Sequence, residues 1–282
     1  MARFLLLLLV VISVGFFASQ NHKSPLISNF QSPISIPIPV SQNQPAPDLS
    51  ARHVFVLDQK SKTVLFQKSA DAQVFPASTT KMMTALVVLD TFSLDQTITV
   101  TRSYPEGQTI DLQPGEQLSV EQLLYAMLVQ SGNDAAEVLA ENFPGGRSAF
   151  ITAMNQKAAA LNLSHTSFIN PTGLDETGHY SSATDLARLA DVAMSNSEFS
   201  RIVATENAVV ANHVLTNINE LLGRVPGVLG VKTGNTLGAG QSLVTLVSRD
   251  SHSVILVVLG STDRFGDSEK LITWIYSNFH WE

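Results

Sequence analysis

The sequence predicts a mixed α/β fold, with strands at both ends of the folded part and helices between them. Short β-rich apolar segments occur early, at 53–58 and 63–67, and longer ones occur late, at 242–248 and 253–259. The intervening stretch has the 3.6-residue hydrophobic period of amphipathic helices. We therefore expect a sheet that carries an inserted helical subdomain, at about 90–215, with a cleft where the two meet.

Composition limits the classes of function. A chain of 282 residues with 44% hydrophobic content has room for one sizeable domain, or two small ones, plus appendages. The net charge of -7 and the low charged fraction argue against a nucleic-acid partner and against a polybasic membrane patch. The absence of cysteine excludes a disulfide framework, a thiol nucleophile and a cysteine-bound zinc. The histidines lack metal-ligand spacing, so we expect them at the surface or in a cleft, with no metal and no cofactor.

The N-terminal segment predicts export. An apolar run from Phe4 to Ala18 follows Arg3 and the free amine, as in a secretion signal or a short membrane anchor. The run is shorter than the roughly 20 residues that a membrane-spanning helix needs, which favours a signal peptide at 1–19. We therefore expect an extracytoplasmic protein, periplasmic or on the outer face of a bacterial membrane, that contacts the membrane only through this segment.

Residues 20–50 predict a tether. They are rich in Ser, Pro, Gln and Asn, and they contain the run Ile-Pro-Ile-Pro at 36–39. Such a composition cannot bury enough apolar surface to order itself, so it indicates a semi-extended linker. The folded domain is then expected at 51–282.

The domain begins with a predicted hairpin. His53–Asp58 and Thr63–Gln67 are short β-rich runs joined by polar residues. A helix is expected next, continuing through Val88. Pro76 disfavours helix for the residue before it, and Ser78 suits an N-cap or a first turn.

Helical periodicity then continues to near residue 194, and the chain returns to β structure before one last helix. A break at Pro144-Gly145-Gly146 separates two of the helices. The nearly continuous apolar character of the last two strands predicts that both faces of the sheet are covered. The remaining predicted elements are a strand at Thr97–Val100, helices at Val120–Val129, Ala135–Glu141, Arg147–Leu161 and Ser182–Met194, strands at Ser242–Ser248 and Ser253–Leu259, and a helix at Asp267–Phe279.

Ser78 and Lys81 form an S-x-x-K pair at the start of the first predicted helix. Residues three apart lie on the same face of a helix, so the amine is within reach of the hydroxyl, at the helix end that stabilises a developing anion. A neutral amine can take the proton of a Ser hydroxyl, which is a poor nucleophile on its own. Taken singly the pair is a weak signal, because a capped helix with a surface Lys has the same pattern.

Two further motifs add to this pair. Ser131 and Asn133 lie in an S-G-N sequence between two predicted helices, where a tight turn presents both side chains together. Lys232, Thr233 and Gly234 form K-T-G at the opening of the closing β region. Gly234 has no side chain, so we expect substrate backbone to approach the strand there. An S-G-N sequence on its own usually marks only a turn. A K-T-G sequence is expected by chance less often in a chain of this composition.

In this order and on these elements, S-x-x-K, S-x-N and K-T-G match the signature of the penicillin-recognising serine enzymes. The chain resembles the serine D-alanyl-D-alanine carboxypeptidases, the low-molecular-mass penicillin-binding proteins, over 51–282. The similarity extends to the segments Asn170–Asp175, Asn217–Leu222 and Gly230–Thr236. It implies a β-lactamase/transpeptidase-like fold, in which helices flank a mainly antiparallel sheet and an all-helical subdomain is inserted.

The resemblance implies catalytic roles for four residues. Ser78 would attack the carbonyl between the two D-alanines of a peptidoglycan stem peptide and form an acyl-enzyme. Lys81 would be the base, which requires a pKa far below the reference value of about 10.4. Lys232 would supply a second cation that lowers this pKa. Ser131, between the two lysines, would pass the proton to the leaving nitrogen.

The resemblance also implies the substrate contacts. Asn133 would hold a substrate amide, and Lys232 with Thr233 would receive the terminal carboxylate. The backbone N–H groups of Ser78 and Asn235 would form an oxyanion hole. β-Lactams are the inhibitors that such a site implies.

Two positions depart from the family's pattern. Asn235 stands where the family often has His, and this should matter little because the backbone N–H is the group that acts. The family also often places an Arg near the substrate carboxylate on the following strand, and counting along this chain puts Ser253 there. This departure bears on the affinity for the substrate carboxylate, and hence on strict carboxypeptidase activity.

Three other functions use the same machinery. A serine β-lactamase needs a carboxylate that activates water at the acyl-enzyme, but Ala158 occupies the Glu position of the E-x-x-L-N pattern that ends at Asn162. A D,D-endopeptidase acts on a longer substrate and is barely separable by sequence. A slow-turnover penicillin-binding sensor of the cell wall is also compatible, although the intact Ser78 and Lys81 argue against a dead scaffold.

Overall fold

The computed structural model describes residues 36–282. The predicted signal peptide or anchor at 1–19, and the first part of the predicted tether, lie outside the described residues. No helix within 36–282 is both long enough and apolar enough to cross a membrane.

Strands and helices follow one another as the sequence predicts, with β structure at both ends of the domain. In chain order the strands are β1 (Pro39–Ser41), β2 (His53–Asp58), β3 (Val64–Lys68), β4 (Thr97–Thr99), β5 (Gln117–Ser119), β6 (Asn207–Val210), β7 (His213–Thr216), β8 (Val228–Thr236), β9 (Gly240–Arg249), β10 (His252–Ser261) and β11 (Phe279–Trp281). The helices are α1 (Lys81–Thr91), α2 (Val120–Leu128), α3 (Asn133–Glu141), α4 (Gly146–Ala160), α5 (Ala183–Met194), α6 (Ser197–Val203) and α7 (Arg264–Asn278).

The central sheet has five strands in the order β3-β2-β10-β9-β8, and every neighbouring pair is antiparallel. Successive side chains of a strand point to opposite faces. Phe55 and Ile255 pack into the larger core with the helices between the strands, whereas Val54 and Leu256 pack with Leu271 of α7. Both faces are therefore covered, and the predicted fold class is confirmed.

Local sequence explains where several helices begin. Ser119 and Gln122 form a capping box, in which each side chain accepts from the other residue's backbone N–H, at 3.1 and 2.9 Å. Ser182 caps α5 by accepting from Asp185 N at 3.1 Å. The sequence does not predict α6 or the β6–β7 hairpin, because elements of seven and four residues are too short to show a period.

The end of the predicted tether is part of the folded domain. Strand β1 pairs with β11, and Ile38 N and Gln42 N donate to Glu282 O and Asn278 O at 2.9 and 2.7 Å. The compact unit thus begins at Ile36, earlier than the expected boundary at 51. Sequence reasoning misses β1 because its proline is tolerated only at a sheet edge, and because its partner strand lies at the other end of the chain.

Candidate active site

The turn that carries Ser78 is tighter than predicted. Ala77–Thr80 form one turn of 3-10 helix and α1 begins only at Lys81, so Ser78 does not cap an α-helix. Side chains three residues apart eclipse each other in this geometry. Lys81 Nζ accordingly lies 2.9 Å from Ser78 Oγ.

The Ser78 turn rests against the loop Asn170–Asp175. Ala77 has a φ of +51° and Gly173 a φ of +91°, and a Cβ at position 173 would lie 1.9 Å from Ala77 O. Asn170 Oδ1 holds the loop by accepting from Gly173 N at 2.8 Å. The sequence marks this loop only through the family resemblance and assigns it no role. The structure shows that it fixes the backbone immediately before Ser78.

Lys81 is fully buried and contacts three oxygen atoms. Besides Ser78 Oγ, these are Asn133 Oδ1 at 2.5 Å and the backbone oxygen of Thr172 at 2.8 Å. Burial lowers the pKa of Lys81 well below its usual value, and the positive charge of Lys232 lowers it further. A neutral amine has two N–H donors and one lone pair. Donation to Asn133 and Thr172 therefore leaves the lone pair for the Ser78 hydroxyl.

A second amine–hydroxyl pair lies close enough to Lys81 to affect its pKa. Lys232 Nζ donates to Ser131 Oγ at 2.9 Å, and both residues are buried. Ser131 has a φ of +64°, in keeping with the tight turn expected between α2 and α3. Burial, and then the nearby Arg264 guanidinium, lower the pKa of Lys232 to about 7. This amine therefore exists in both protonation states near neutral pH.

Asn133 is engaged at both ends of its amide. Oδ1 accepts from Lys81, and Nδ2 donates to Glu106 O at 2.9 Å. The neighbouring Asp134 carboxylate accepts from two backbone N–H groups in the segment 110–112, at 3.0 and 3.1 Å, and so holds that segment in place. In this structure Asn133 positions Lys81, whereas the resemblance implies a contact with a substrate amide.

Strand β8 is an edge of the sheet and lies against the Ser78 turn. A Cβ at Gly234 would lie 2.9 Å from Ala77 Cβ and 3.1 Å from Ser78 N. The missing side chain thus makes room for the Ser78 turn itself, rather than for substrate as we expected. Thr233 is buried beside Lys232, and its hydroxyl has no hydrogen-bond partner within 36–282. The next residue, Asn235, is exposed.

Arg264 is a site residue that sequence reasoning misses. Its Nη1 donates to Gly234 O at 2.9 Å, and its buried Nε has no partner in the described part of the chain. It stands in the first turn of α7, which begins at Arg264 rather than at the predicted Asp267. Ser253, the position expected near a substrate carboxylate, instead bonds to Ser248 at the other end of β9 and β10.

Asp175 joins the loop to the sheet. Its carboxylate accepts from Thr236 Oγ1 at 2.6 Å and from Gly238 N at 2.8 Å. These bonds fix the turn between β8 and β9. The same loop therefore contacts Lys81, supports the Ser78 turn and holds the end of β8.

His179 is buried, and not at the surface or in the cleft as expected. Its Nε2 lies 2.9 Å from Thr80 Oγ1, and its Nδ1 accepts from Ile169 N at 3.0 Å. Burial lowers the pKa of this ring to about 4, so it is neutral at neutral pH and ties the Ser78 turn to its surroundings. Among residues 36–282, no three His, Cys, Asp or Glu side chains are grouped as ligands for a metal ion.

Several known proteins are similar to this chain in sequence. The family model for D-alanyl-D-alanine carboxypeptidases, peptidase family S11, matches residues 40–263. The chain is 33% identical to the D-alanyl-D-alanine carboxypeptidase DacF of Bacillus subtilis, over 81% of this chain and 63% of that protein. It is 36% identical to DacC of Escherichia coli, over 84% of this chain and 64% of that protein. The chain thus spans a little under two thirds of the length of these two relatives.

Two other matches cover more of the matched protein. A D-alanyl-D-alanine endopeptidase of Pseudomonas aeruginosa is 35% identical over 81% of this chain and 78% of that protein. Among solved structures, the Streptomyces K15 DD-transpeptidase superposes with a TM-score of 0.79 at 31% identity, covering 83% of this chain and 100% of that chain. The match therefore extends over the whole of that solved chain.

Proposed function

The chain belongs to the D-alanyl-D-alanine carboxypeptidase family, peptidase family S11, and from this premise we propose that it is a serine D,D-carboxypeptidase. Its substrate is the stem pentapeptide of peptidoglycan, from which it removes the terminal D-alanine. The observation that carries the proposal is the distance of 2.9 Å between Ser78 Oγ and the buried Lys81 Nζ.

Acylation begins with the Lys81 lone pair. The neutral amine takes the Ser78 proton while Oγ attacks the carbonyl carbon between the two D-alanines. The backbone N–H groups of Ser78 and Asn235 stabilise the oxyanion, and removal of such a donor typically costs about 2.7–4 kcal/mol of barrier lowering. Collapse of the tetrahedral intermediate leaves the acyl group on Ser78.

The second pair serves the leaving group. Ser131 passes a proton to the departing D-alanine nitrogen, and Lys232, which donates to Ser131 Oγ at 2.9 Å, keeps that hydroxyl oriented. The proton that Lys81 took from Ser78 replaces the one that Ser131 gives up, so the Lys81 amine is neutral again. Lys81 then takes a proton from the water that attacks the acyl-enzyme and returns it to Ser78 Oγ as the acyl bond breaks, which releases the peptide with a new carboxyl end. Lys81 acts as the base because its Nζ lies 2.9 Å from Ser78 Oγ, whereas Lys232 bonds to Ser131.

The terminal carboxylate binds at Lys232, Thr233 and Arg264. Three observations support this: the Lys232 amine lies beside Ser131, the Thr233 hydroxyl lacks a partner within 36–282, and the buried Arg264 Nε lacks one there too. An unpaired buried guanidinium N–H loses free energy unless an acceptor reaches it. A carboxylate supplies that acceptor, so Arg264 takes the place that counting had given to Ser253.

The pH dependence of acylation follows from the Lys232 pKa of about 7. The protonated amine attracts the carboxylate, so the acylation rate by a β-lactam should fall as pH rises through this pKa. Replacing Arg264 by Gln removes a positive charge that lowers the Lys232 pKa, so the fall should move to higher pH. The carboxylate loses one partner at the same time, which weakens binding at every pH.

A stopped-flow pH profile of acylation checks this prediction. Arg224→Gln is the matched control, because it removes the same charge from a surface ion pair with Glu269. Its descending limb should coincide with that of the wild type. If the acylation rate of Arg264→Gln falls at the same pH as that of the wild type, Arg264 does not lower the pKa of Lys232.

The proposed location is outside the cytoplasm. The apolar run from Phe4 to Ala18, preceded by Arg3, supports export, and a peptidoglycan substrate requires it. β-Lactams act as inhibitors because they present a carbonyl and a carboxylate to the same groups.

A D,D-endopeptidase is the second candidate. The Pseudomonas aeruginosa relative bears that name, and the same acyl-transfer groups act on a cross-linked peptide as on a free one. A β-lactamase finds less support, since Ala158, which occupies the Glu position of the E-x-x-L-N pattern, is a buried residue of α4. A slow-turnover sensor differs from a carboxypeptidase only in the rate at which its acyl-enzyme is hydrolysed.

Release of D-alanine separates these functions. The purified chain should release D-alanine continuously from a peptide that ends in D-Ala-D-Ala, and Ser78→Ala should release none. One equivalent per chain followed by arrest would indicate the sensor. Cleavage of a cross-linked dimer without D-alanine release from the pentapeptide would indicate the endopeptidase.

A further inference from the structure

A cavity of about 500 Å³ lies beside the segment that leads into the Ser78 turn. Residues 73–75, which directly precede Pro76, form part of its lining, and so does His179, which contacts Thr80 at 2.9 Å. A water molecule takes about 30 Å³ of liquid volume, so the cavity has room for a ligand of more than ten heavy atoms. None of the residues that we assign to catalysis or to the terminal carboxylate lines it. The cavity therefore adjoins the active site without being part of it.

The segment 73–75 is paired along one edge only. Val74 and Ser181 exchange both of their backbone hydrogen bonds, each at 2.9 Å. Successive residues of an extended chain present their N–H and C=O groups to opposite sides, so those of Gln73 and Phe75 point away from Ser181. Neither Gln73 nor Phe75 has a backbone hydrogen bond to another residue of 36–282. The segment thus offers free donors and acceptors to a second extended chain, as the edge strand of a sheet does.

Arg52 supplies a positive charge to the same cavity. Its guanidinium forms no ion pair within the described part of the chain, and its Nη2 lies 3.5 Å from Ala239 O. Gly260 makes room for this group, because a Cβ there would lie 2.6 Å from Arg52 Nε. Among residues 36–282, no carboxylate side chain lines the cavity. Since a guanidinium binds a carboxylate through two parallel hydrogen bonds, the cavity favours an anion of that kind.

The rest of the lining suits the body of a short peptide. The hydroxyl of Tyr180 and the side-chain amide of Gln73 have no hydrogen-bond partner in the described residues, and both residues line the cavity. Val74 and Phe75 add apolar surface for small side chains. A free backbone edge together with a group that captures a terminal charge is a recurring way to bind the end of an extended peptide.

We propose that this cavity is a second peptide-binding site, for a short extended peptide of small residues that ends in a free D-alanine carboxylate. The peptide pairs with the free edge of 73–75, and Arg52 binds its carboxylate. The choice of occupant rests on the proposed D,D-peptidase function, because the product of that reaction ends in such a carboxylate. A bound product would hold the enzyme beside uncleaved stem peptides of the same wall.

The first test measures peptide binding by calorimetry to the penicillin-acylated protein, in which the Ser78 site is already occupied. Acetyl-Ala-Ala-D-Ala should bind. Its C-terminal amide should bind about tenfold more weakly, because the amide lacks the charged partner of Arg52. No measurable binding, or equal affinities of acid and amide, overturns the site. Tighter binding of acetyl-Ala-Ala-L-Ala would assign the cavity to the C-terminus of a protein and overturn the choice of occupant.

Arg52→Gln tests the positive charge. The affinity for the acid should fall by about tenfold, to that of the amide, while the affinity for the amide changes little. Arg249→Gln is the matched control: Arg249 also lacks an ion pair in the described chain, donates to Pro226 O at 3.2 Å and does not line the cavity. Thermal melts show that both variants are folded. An unchanged preference for the acid in folded Arg52→Gln overturns the role of Arg52.

N-methylation of the peptide tests the pairing with 73–75. Only alternate N–H groups of an extended peptide face a partner strand. A methyl group on the nitrogen of the middle or of the last alanine should therefore weaken binding by up to about tenfold at one of these positions and little at the other. Equal effects at the two positions contradict the pairing.

The outcomes separate this inference from the proposed function. D-Alanine release without tripeptide binding to the acylated protein contradicts the second site and leaves the carboxypeptidase function standing. If no D-alanine is released and penicillin does not acylate Ser78, the function fails, and the same titrations are made with the unmodified chain. A preference for the acid that is lost in Arg52→Gln then supports the peptide site, and an unchanged preference overturns it.

Discussion

Lys81→Met should lower the rate at which a β-lactam acylates Ser78 by about 10⁴-fold or more, since loss of the general base disables the nucleophile it activates. Methionine keeps the length and volume of the buried side chain but has no basic nitrogen. Stopped-flow acylation with a fluorescent penicillin measures the loss. The variant also leaves Asn133 Oδ1 and Thr172 O without their donor, at a cost to stability of about 1–3 kcal/mol for each acceptor.

A thermal melt shows whether the Lys81→Met protein is folded when its activity is measured. Lys157→Met is the control: it removes an amine from an ion pair with Asp90, outside the site, and should acylate at the wild-type rate. Near-wild-type acylation by a folded Lys81→Met protein would require another base for Ser78.

Gly173→Ala should lower both stability and acylation because the new Cβ would lie 1.9 Å from Ala77 O. The loop or the Ser78 turn must move to relieve this contact, and either movement disturbs the Thr172 O–Lys81 bond at 2.8 Å. We expect a loss of about 3 kcal/mol in the free energy of unfolding. Acylation should fall in the molecules that remain folded.

Gly178→Ala is the matched control for Gly173→Ala. Gly178 has a φ of +89°, close to the +91° of Gly173, but a Cβ there meets nothing nearer than 3.6 Å. Gly178→Ala should therefore lose only the free energy of unfolding that a left-handed alanine costs, about 1–2 kcal/mol. Its acylation rate should stay at the wild-type value. Chemical denaturation and acylation kinetics compare the two variants. Equal effects on both would mean that the loop does not support the Ser78 turn.

The sequence predicts the parts of the fold whose signals are local. Apolar runs predict β9 and β10, and periodicity predicts the helices from α2 to α5 to within a few residues. The pairing of β1 with β11 joins the two ends of the domain, and no local pattern of Pro39–Ser41 indicates a partner so distant in sequence.

The site shows the same division. Spacing alone places Lys81 beside Ser78, because both belong to one short segment. Arg264 lies in the site only because the β9–β10 hairpin brings the chain back to the end of β8. Counting along the sequence cannot show this, and it indicates Ser253 instead. The role of Gly234 likewise depends on a neighbour, Ala77, that comes close only in the folded chain.

Peptide mapping of the penicillin adduct by mass spectrometry tests the central assignment most directly. We predict one covalent adduct per chain, located on Ser78, and no adduct in Ser78→Ala. An adduct on another residue, or equal labelling of the two proteins, would contradict the account.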